Sequence, residues 1–176
     1  DTPQHALAVF RQRKETFEPA YIGQELVIAL DNIQNPGNMG TIIRLADWFG
    51  IHHILCNSEC ADVYNPKVVQ ATMGSLARVH IYYCDLVQTI RQHFSSLPVY
   101  GTFLDGDNIY QKSLTSNGLI VMGNEGHGIS DEIKPLITER LHIPSYPPDA
   151  PAGESLNVAI ATAITCSEFR RRQENN

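Results

Sequence analysis

Short runs rich in Val, Ile and Leu alternate with amphipathic stretches along almost the whole chain, and this alternation limits the possible folds more than any other feature. The candidate strands are Leu26–Leu30, His53–Cys56, Val79–Tyr82, Val99–Phe103, Leu119–Met122 and Arg140–Ile143. Between and after them lie helical patterns over Met39–Phe49, Pro66–Gly74, Leu86–Phe94 and Ser155–Arg171, the last with Leu156, Ile160, Ala163 and Ile164 on one side. Brief apolar strands separated by helices predict an α/β fold, a mostly parallel sheet with helices on both faces. With 176 residues, 43% of them hydrophobic, the chain has enough apolar material for one core. No repeat and no interdomain linker is visible. A polar lead-in over residues 1–24 is expected to precede one domain over residues 25–176.

Charge and cysteine usage exclude several classes. Thirteen Lys and Arg against 19 Asp and Glu leave a net charge of −6, which argues against a generic nucleic-acid-coating protein. The basic residues cluster at the ends, at Arg11, Arg13 and Lys14 and at Arg170, Arg171 and Arg172, where they can touch phosphates or form solvated helix faces. Cys56, Cys60, Cys84 and Cys166 do not form a disulfide framework in a chain of this size, so reduced thiols are expected. The stretch from His52 to Cys60 matches no common zinc spacing, and no metal is expected. No apolar run is long enough to span a bilayer and no leader pattern is present, so no membrane association and a cytoplasmic location are expected. The chain begins at Asp1 rather than Met, which leads us to expect a further module upstream.

In parallel α/β sheets ligands gather at the carboxyl ends of the strands. Three loops that follow strands have unusual compositions. The first, Asn35-Pro36-Gly37-Asn38-Met39-Gly40, opens a helix but has neither dinucleotide-fingerprint spacing nor a Walker lysine. Asn38 there is an N-cap or a functional side chain. Arg44, set in an apolar run, is either an anion clamp or the partner of Asp47. The second loop, Gly123-Asn124-Glu125-Gly126-His127-Gly128, offers glycines for close approach to a ligand, and ends at Ser130, a plausible cap for a helix at Asp131-Glu132. The third runs from Pro144 to Gly153 and leads into Ser155-Leu156-Asn157, a helix start with two capping side chains and free backbone N–H groups. Three polar loops on one sheet edge can converge on one site.

Taken together, residues 35–44, 121–130 and 143–159 resemble the three motifs of the SpoU (TrmH-like) RNA methyltransferases, in order and at suitable spacing. These enzymes belong to the SPOUT superfamily. The resemblance spans nearly the whole chain and implies a deep C-terminal trefoil knot, an exception to ordinary chain topology. It also implies S-adenosyl-L-methionine as cofactor, a homodimer, and methylation of a ribose 2′-hydroxyl in tRNA or rRNA. By motif position, Gly123, Ile143 and Leu156 would contact the cofactor, and Asn38, Arg44, Glu125, Ser155 and Asn157 match the catalytic and structural polar positions. One departure concerns the third loop, which at Ser145–Glu154 is longer, proline-rich and acidic, with Asp149 and Glu154 set to repel a phosphate.

A ribose hydroxyl is a poor nucleophile, so positioning and stabilisation of developing negative charge must supply the rate. A guanidinium with a pKa above ~12 is a reluctant base, and Arg44 is better suited to hold an RNA phosphate while the proton leaves to phosphate or water. Two other readings stand beside this one: a non-catalytic RNA- or cofactor-binding protein of the same fold, and an unrelated phosphate-binding α/β enzyme.

Overall fold

The computed structural model describes residues 9, 11–13, 15–17, 23–147 and 155–173. Lys14, most of the lead-in and residues 148–154, with Asp149 and Glu154, lie outside the described residues. Six strands form one parallel sheet: β1 (Leu26–Leu30), β2 (His53–Cys56), β3 (His80–Tyr83), β4 (Val99–Asn108), β5 (Gly118–Met122) and β6 (Glu139–His142), in the order β3-β2-β1-β5-β4-β6. The helices are α1 (Pro36–Trp48), α2 (Pro66–Thr72), α3 (Leu86–His93) and α4 (Val158–Gln173).

β1 shows why the sheet must be covered on both sides. Its five residues are all buried. Leu26, Ile28 and Leu30 point into a core shared with Met39, Ile42 and Ile43 of α1 and Ala159, Cys166 and Phe169 of α4. Val27 and Ala29 point the other way, into a core with Leu86, Ile90 and Phe94 around α3. Alternation of side chains along a strand makes a continuous apolar run the signature of such a buried position. α1 also lies tight against α2, because Gly40 has no side chain: a Cβ there would come within 2.4 Å of the Ala71 Cβ.

Several boundaries differ from the sequence expectations. β3 begins at His80, since the Val79 N–H is spent on the Ser75 carbonyl in the preceding turn and ladder pairing starts with His80 N–H to the His52 carbonyl. β4 runs five residues further than expected, with a shift in its pairing to β6 between Thr102 and Asp107. α1 starts at Pro36 because Asn35, not Asn38, is its N-cap, accepting from the N–H groups of Gly37 (2.9 Å) and Asn38 (3.1 Å). No α-helix opens at Asp131-Glu132; the chain makes a turn there and a short 3-10 segment, Lys134–Leu136. α4 starts three residues later than expected, at Val158, with the Asn157 side chain accepting from the N–H groups of Ala159 and Ile160. Its buried face carries Val158, Ala159, Thr162, Cys166 and Phe169, whereas Leu156 and Ile160 are half exposed.

The strand order decides where a site can form. β1 lies between β2 and β5, with Leu30 opposite Met122, so the chain leaves two neighbouring strands at the same level. The first and second loops therefore emerge side by side, at the switch point where open α/β sheets bind ligands.

Candidate active site

Because Asn35 caps α1, the Asn38 side chain is left free to reach outward. Its Nδ2 donates to Oε1 of Glu125 in the second loop. Its Oδ1 accepts from Nδ2 of Asn157, at 3.1 Å, at the start of α4. One carboxamide thus joins all three loops. A single amide can do this because it carries both donors and acceptors.

A cavity of about 660 Å³ opens beside this junction. Its wall includes Gly123, Glu125, Ile143, Ser155 and Leu156, so five of the eight residues singled out from sequence line one space. Asn38 borders it through its hydrogen bond to Glu125, and Asn157 through its own to Asn38. Gly123 is required by packing: a Cβ there would sit 2.3 Å from the Gly128 carbonyl carbon and the Ile129 nitrogen. The second loop folds back on itself through paired backbone bonds between Asn124 and Gly128, 2.9 and 2.8 Å, and the Asn124 Oδ1 also accepts from Gly126.

Arg44 is not brought to this cavity within its own chain. It is exposed on the α1 face turned to solvent, and makes no hydrogen bond or ion pair among the described residues. The Asp47 pairing considered for it does not occur. Asp47 is bound by Arg78, at 2.6 Å, and by the Ser75 hydroxyl, at 2.7 Å, and the Arg78 guanidinium holds its carboxyl below the usual range against the opposing effect of burial. Four of the six clustered cations at the chain ends are engaged. Arg13 pairs with Glu15, Arg171 and Arg172 with Glu168, and Arg170 donates to the Phe49 and Gly50 carbonyls.

The far wall of the cavity was not read from sequence. Phe103, Leu104 and Asp105 bulge from β4 where its register shifts, and Arg140 lies over the Phe103 ring at 3.6 Å. Arg140 also reaches Asp105 at 2.5 Å and keeps that carboxyl below its ordinary value. The visible signal was Gly106, an isolated glycine where strand alternation breaks; a Cβ there would lie 2.5 Å from the Leu141 carbonyl carbon. Apolar side chains such as Leu156, Val158 and Ala161, set beside backbone polar groups of a glycine loop, suit a small ligand with an apolar body and a few polar edges.

Comparison with known proteins follows the same lines. The family model of the SpoU rRNA methylases matches residues 25–167. The 23S rRNA (guanosine(2553)-2′-O)-methyltransferase RlmP of Bacillus subtilis is 31% identical over 172 residues, covering 97% of this chain and 66% of its own length. Among solved structures, a TrmH-family protein of Porphyromonas gingivalis is 50% identical with a TM-score of 0.77, covering 84% of this chain and 60% of its own. An AdoMet-bound rRNA methyltransferase of Sinorhizobium meliloti is 34% identical with a TM-score of 0.76, covering 84% and 56%. The chain therefore spans less than two thirds of the length of these relatives. The match over most of the sequence, with all three loops inside it, makes the chain a member of the SpoU rRNA methylase family.

Proposed function

We propose that the chain is the catalytic domain of an S-adenosyl-L-methionine-dependent RNA methyltransferase that acts on a ribose 2′-hydroxyl of rRNA or tRNA. The observation that carries this reading is the Asn38 carboxamide, bonded to both Glu125 and Asn157 at the mouth of a cavity lined by Gly123, Ile143 and Leu156. Relatives named as 23S rRNA 2′-O-methyltransferases and a neighbour with AdoMet bound support it.

The residues present fit the cofactor. The cavity volume lies in the range of small-molecule sites, roughly 300–1,000 Å³. A Cβ on Gly128 would meet nothing within 4 Å, so this part of the loop borders open space. Gly123, Ile143 and Leu156 would hold the group, largely through their backbones. When bound, S-adenosylmethionine supplies a methyl group on a sulfonium.

Glu125 and Asn38 keep the loops in register around that space, and Ser155 and Asn157 orient the methyl-accepting side. Arg44, exposed and without a side-chain partner among the described residues, holds the RNA phosphate and stabilises negative charge as the hydroxyl proton leaves to phosphate or water. Its guanidinium stays charged throughout. Since Arg44 does not line its own chain's cavity, a homodimer in which a second copy presents it completes the site. The segment leading into α4 returns to the first and second loops, the arrangement a C-terminal trefoil knot requires, and the knot is part of this proposal.

Two measurements test it. S-adenosylhomocysteine must raise the melting temperature, as any ligand that binds only the native state does. Mapping of 2′-O-methylated nucleosides in RNA from cells with and without the gene must show one lost site. A cofactor-dependent shift with no lost site selects the non-catalytic reading.

A further inference from the structure

We propose that Asp31 is a positioning residue for the glycine loop, fixing the wall of the cavity without touching what binds there. The proposal deepens the methyltransferase reading and rests on it. Asp31 is the first residue after β1, is 1% exposed, and forms no ion pair among the described residues. A carboxylate buried so deeply must be satisfied by N–H donors. Each oxygen has one: Oδ1 accepts from Asn57 Nδ2 at 3.0 Å, and Oδ2 accepts from the Ser130 backbone N–H at 2.7 Å, a charge-assisted length.

The next residue completes the attachment. Asn32 is in the left-handed conformation, φ 60°, which asparagine tolerates better than most residues. Its carbonyl accepts from Asn124 Nδ2 at 2.8 Å, and its N–H donates to Asn57 Oδ1 at 3.1 Å. Asn57, just past β2, braces both residues from behind. The two ends of the second loop, Asn124 and Ser130, are thus fastened to consecutive residues of the β1 exit. Between those ends the loop is closed on itself by the Asn124–Gly128 backbone pair. Such a unit moves as one body, so its attachments determine where its backbone groups stand in the cavity.

The tests are Asp31→Asn and the double variant Asp31→Asn/Asn57→Asp. The single change sets an amide N–H against either Ser130 or Asn57, leaving two donors facing each other. The double change restores a donor–acceptor match between positions 31 and 57. Expected for Asp31→Asn are faster amide hydrogen exchange at residues 124–130 and about tenfold weaker S-adenosylhomocysteine binding by calorimetry, the scale of one unsatisfied buried group. Expected for the double variant is recovery of most of both losses, which a simple loss of stability would not give. If Asp31→Asn does not fold, Asn124→Asp serves: it keeps the acceptor for Gly126 and replaces the donation to Asn32 by a carboxylate oxygen facing that carbonyl. Unchanged exchange in the loop overturns the clamp, and faster exchange with unchanged binding overturns its positioning role. Failure of the unaltered protein to bind S-adenosylhomocysteine overturns the cofactor reading and the role with it, while the exchange data still decide whether the clamp exists.

Discussion

Asn157 donates its side-chain amide to Asn38 across 119 residues of sequence, at 3.1 Å, and Asn38 in turn donates to Glu125. Removing this relay separates positioning from stability. Asn38→Ala is expected to lower methyl transfer about 100-fold, the scale of a small misplacement of reacting groups. Unfolding in urea should show a loss of only about 1 kcal/mol, as for hydrogen bonds near the surface. Near-normal turnover in single-turnover assays would remove Asn38 from the site.

The Arg44 side chain has no partner to lose among the described residues. Arg44→Ala should therefore leave stability within about 0.5 kcal/mol of the parent, as surface changes do. Methyl transfer should fall by ~10²–10³-fold, the scale of losing one charge-stabilising donor. Arg44→Lys separates charge from shape. Lysine keeps the charge but not the fork, so turnover close to that of the parent would refute the need for a guanidinium.

Gly123→Ala places a methyl group against the Gly128–Ile129 backbone at 2.3 Å, and the loop must open to admit it. Thermal melts with S-adenosylhomocysteine at a hundred times its Kd should show about 2.7 kcal/mol of stabilisation for the parent. Most of that gain should vanish in the variant, while its ligand-free melt stays cooperative.

Arg170 binds the end of α1, donating to the carbonyls of Phe49 at 2.6 Å and Gly50 at 2.8 Å. These are charged hydrogen bonds to helix-end carbonyls that have no other partner among the described residues. Arg170→Ala should cost about 2 kcal/mol in chemical denaturation. Methyl transfer below the melting range should be unchanged.

Acid should weaken the fold in two stages. Burial holds the His53 imidazole below its ordinary 6.5, opposed by Glu25 and Glu15 and reinforced by the neighbouring His80 and His52. Its nitrogens sit 3.1 Å from the Tyr82 hydroxyl and 3.2 Å from Glu25. The unfolded chain takes up this proton more readily, so stability is full above about 6.5 and declines as pH falls toward the folded value. Glu168 adds a later stage. The Arg171 guanidinium, aided by Arg172 and opposed by burial, holds its carboxyl below the ordinary 4.5, so its contribution is present above that value and disappears as pH falls through the folded one. Melting temperature against pH should show both slopes, and His53→Gln should flatten the first.

The strands Leu26–Leu30 and His53–Cys56 were legible to the residue, because a buried parallel strand needs an unbroken apolar run. Asn38 and Asn157 were read as capping residue types, yet which asparagine caps is a local competition. Asn35 wins at α1, since Pro36 at the first helical position fixes the turn and frees Asn38. The β4 bulge was legible only as the break in alternation at Gly106, because the strand it meets, β6, lies more than thirty residues away.

By itself the sequence determined a parallel α/β sheet, three polar loops and the residue types able to cap, bind and clamp. Only the tertiary structure decided that Asn38 touches Glu125 and Asn157, that Asp31 fastens Ser130, and that Arg44 stands apart from its own cavity. The physical reason is that periodicity records which face of an element is apolar. The neighbour each loop meets depends instead on strand order, and pairing Leu30 with Met122 is a choice of the whole sheet.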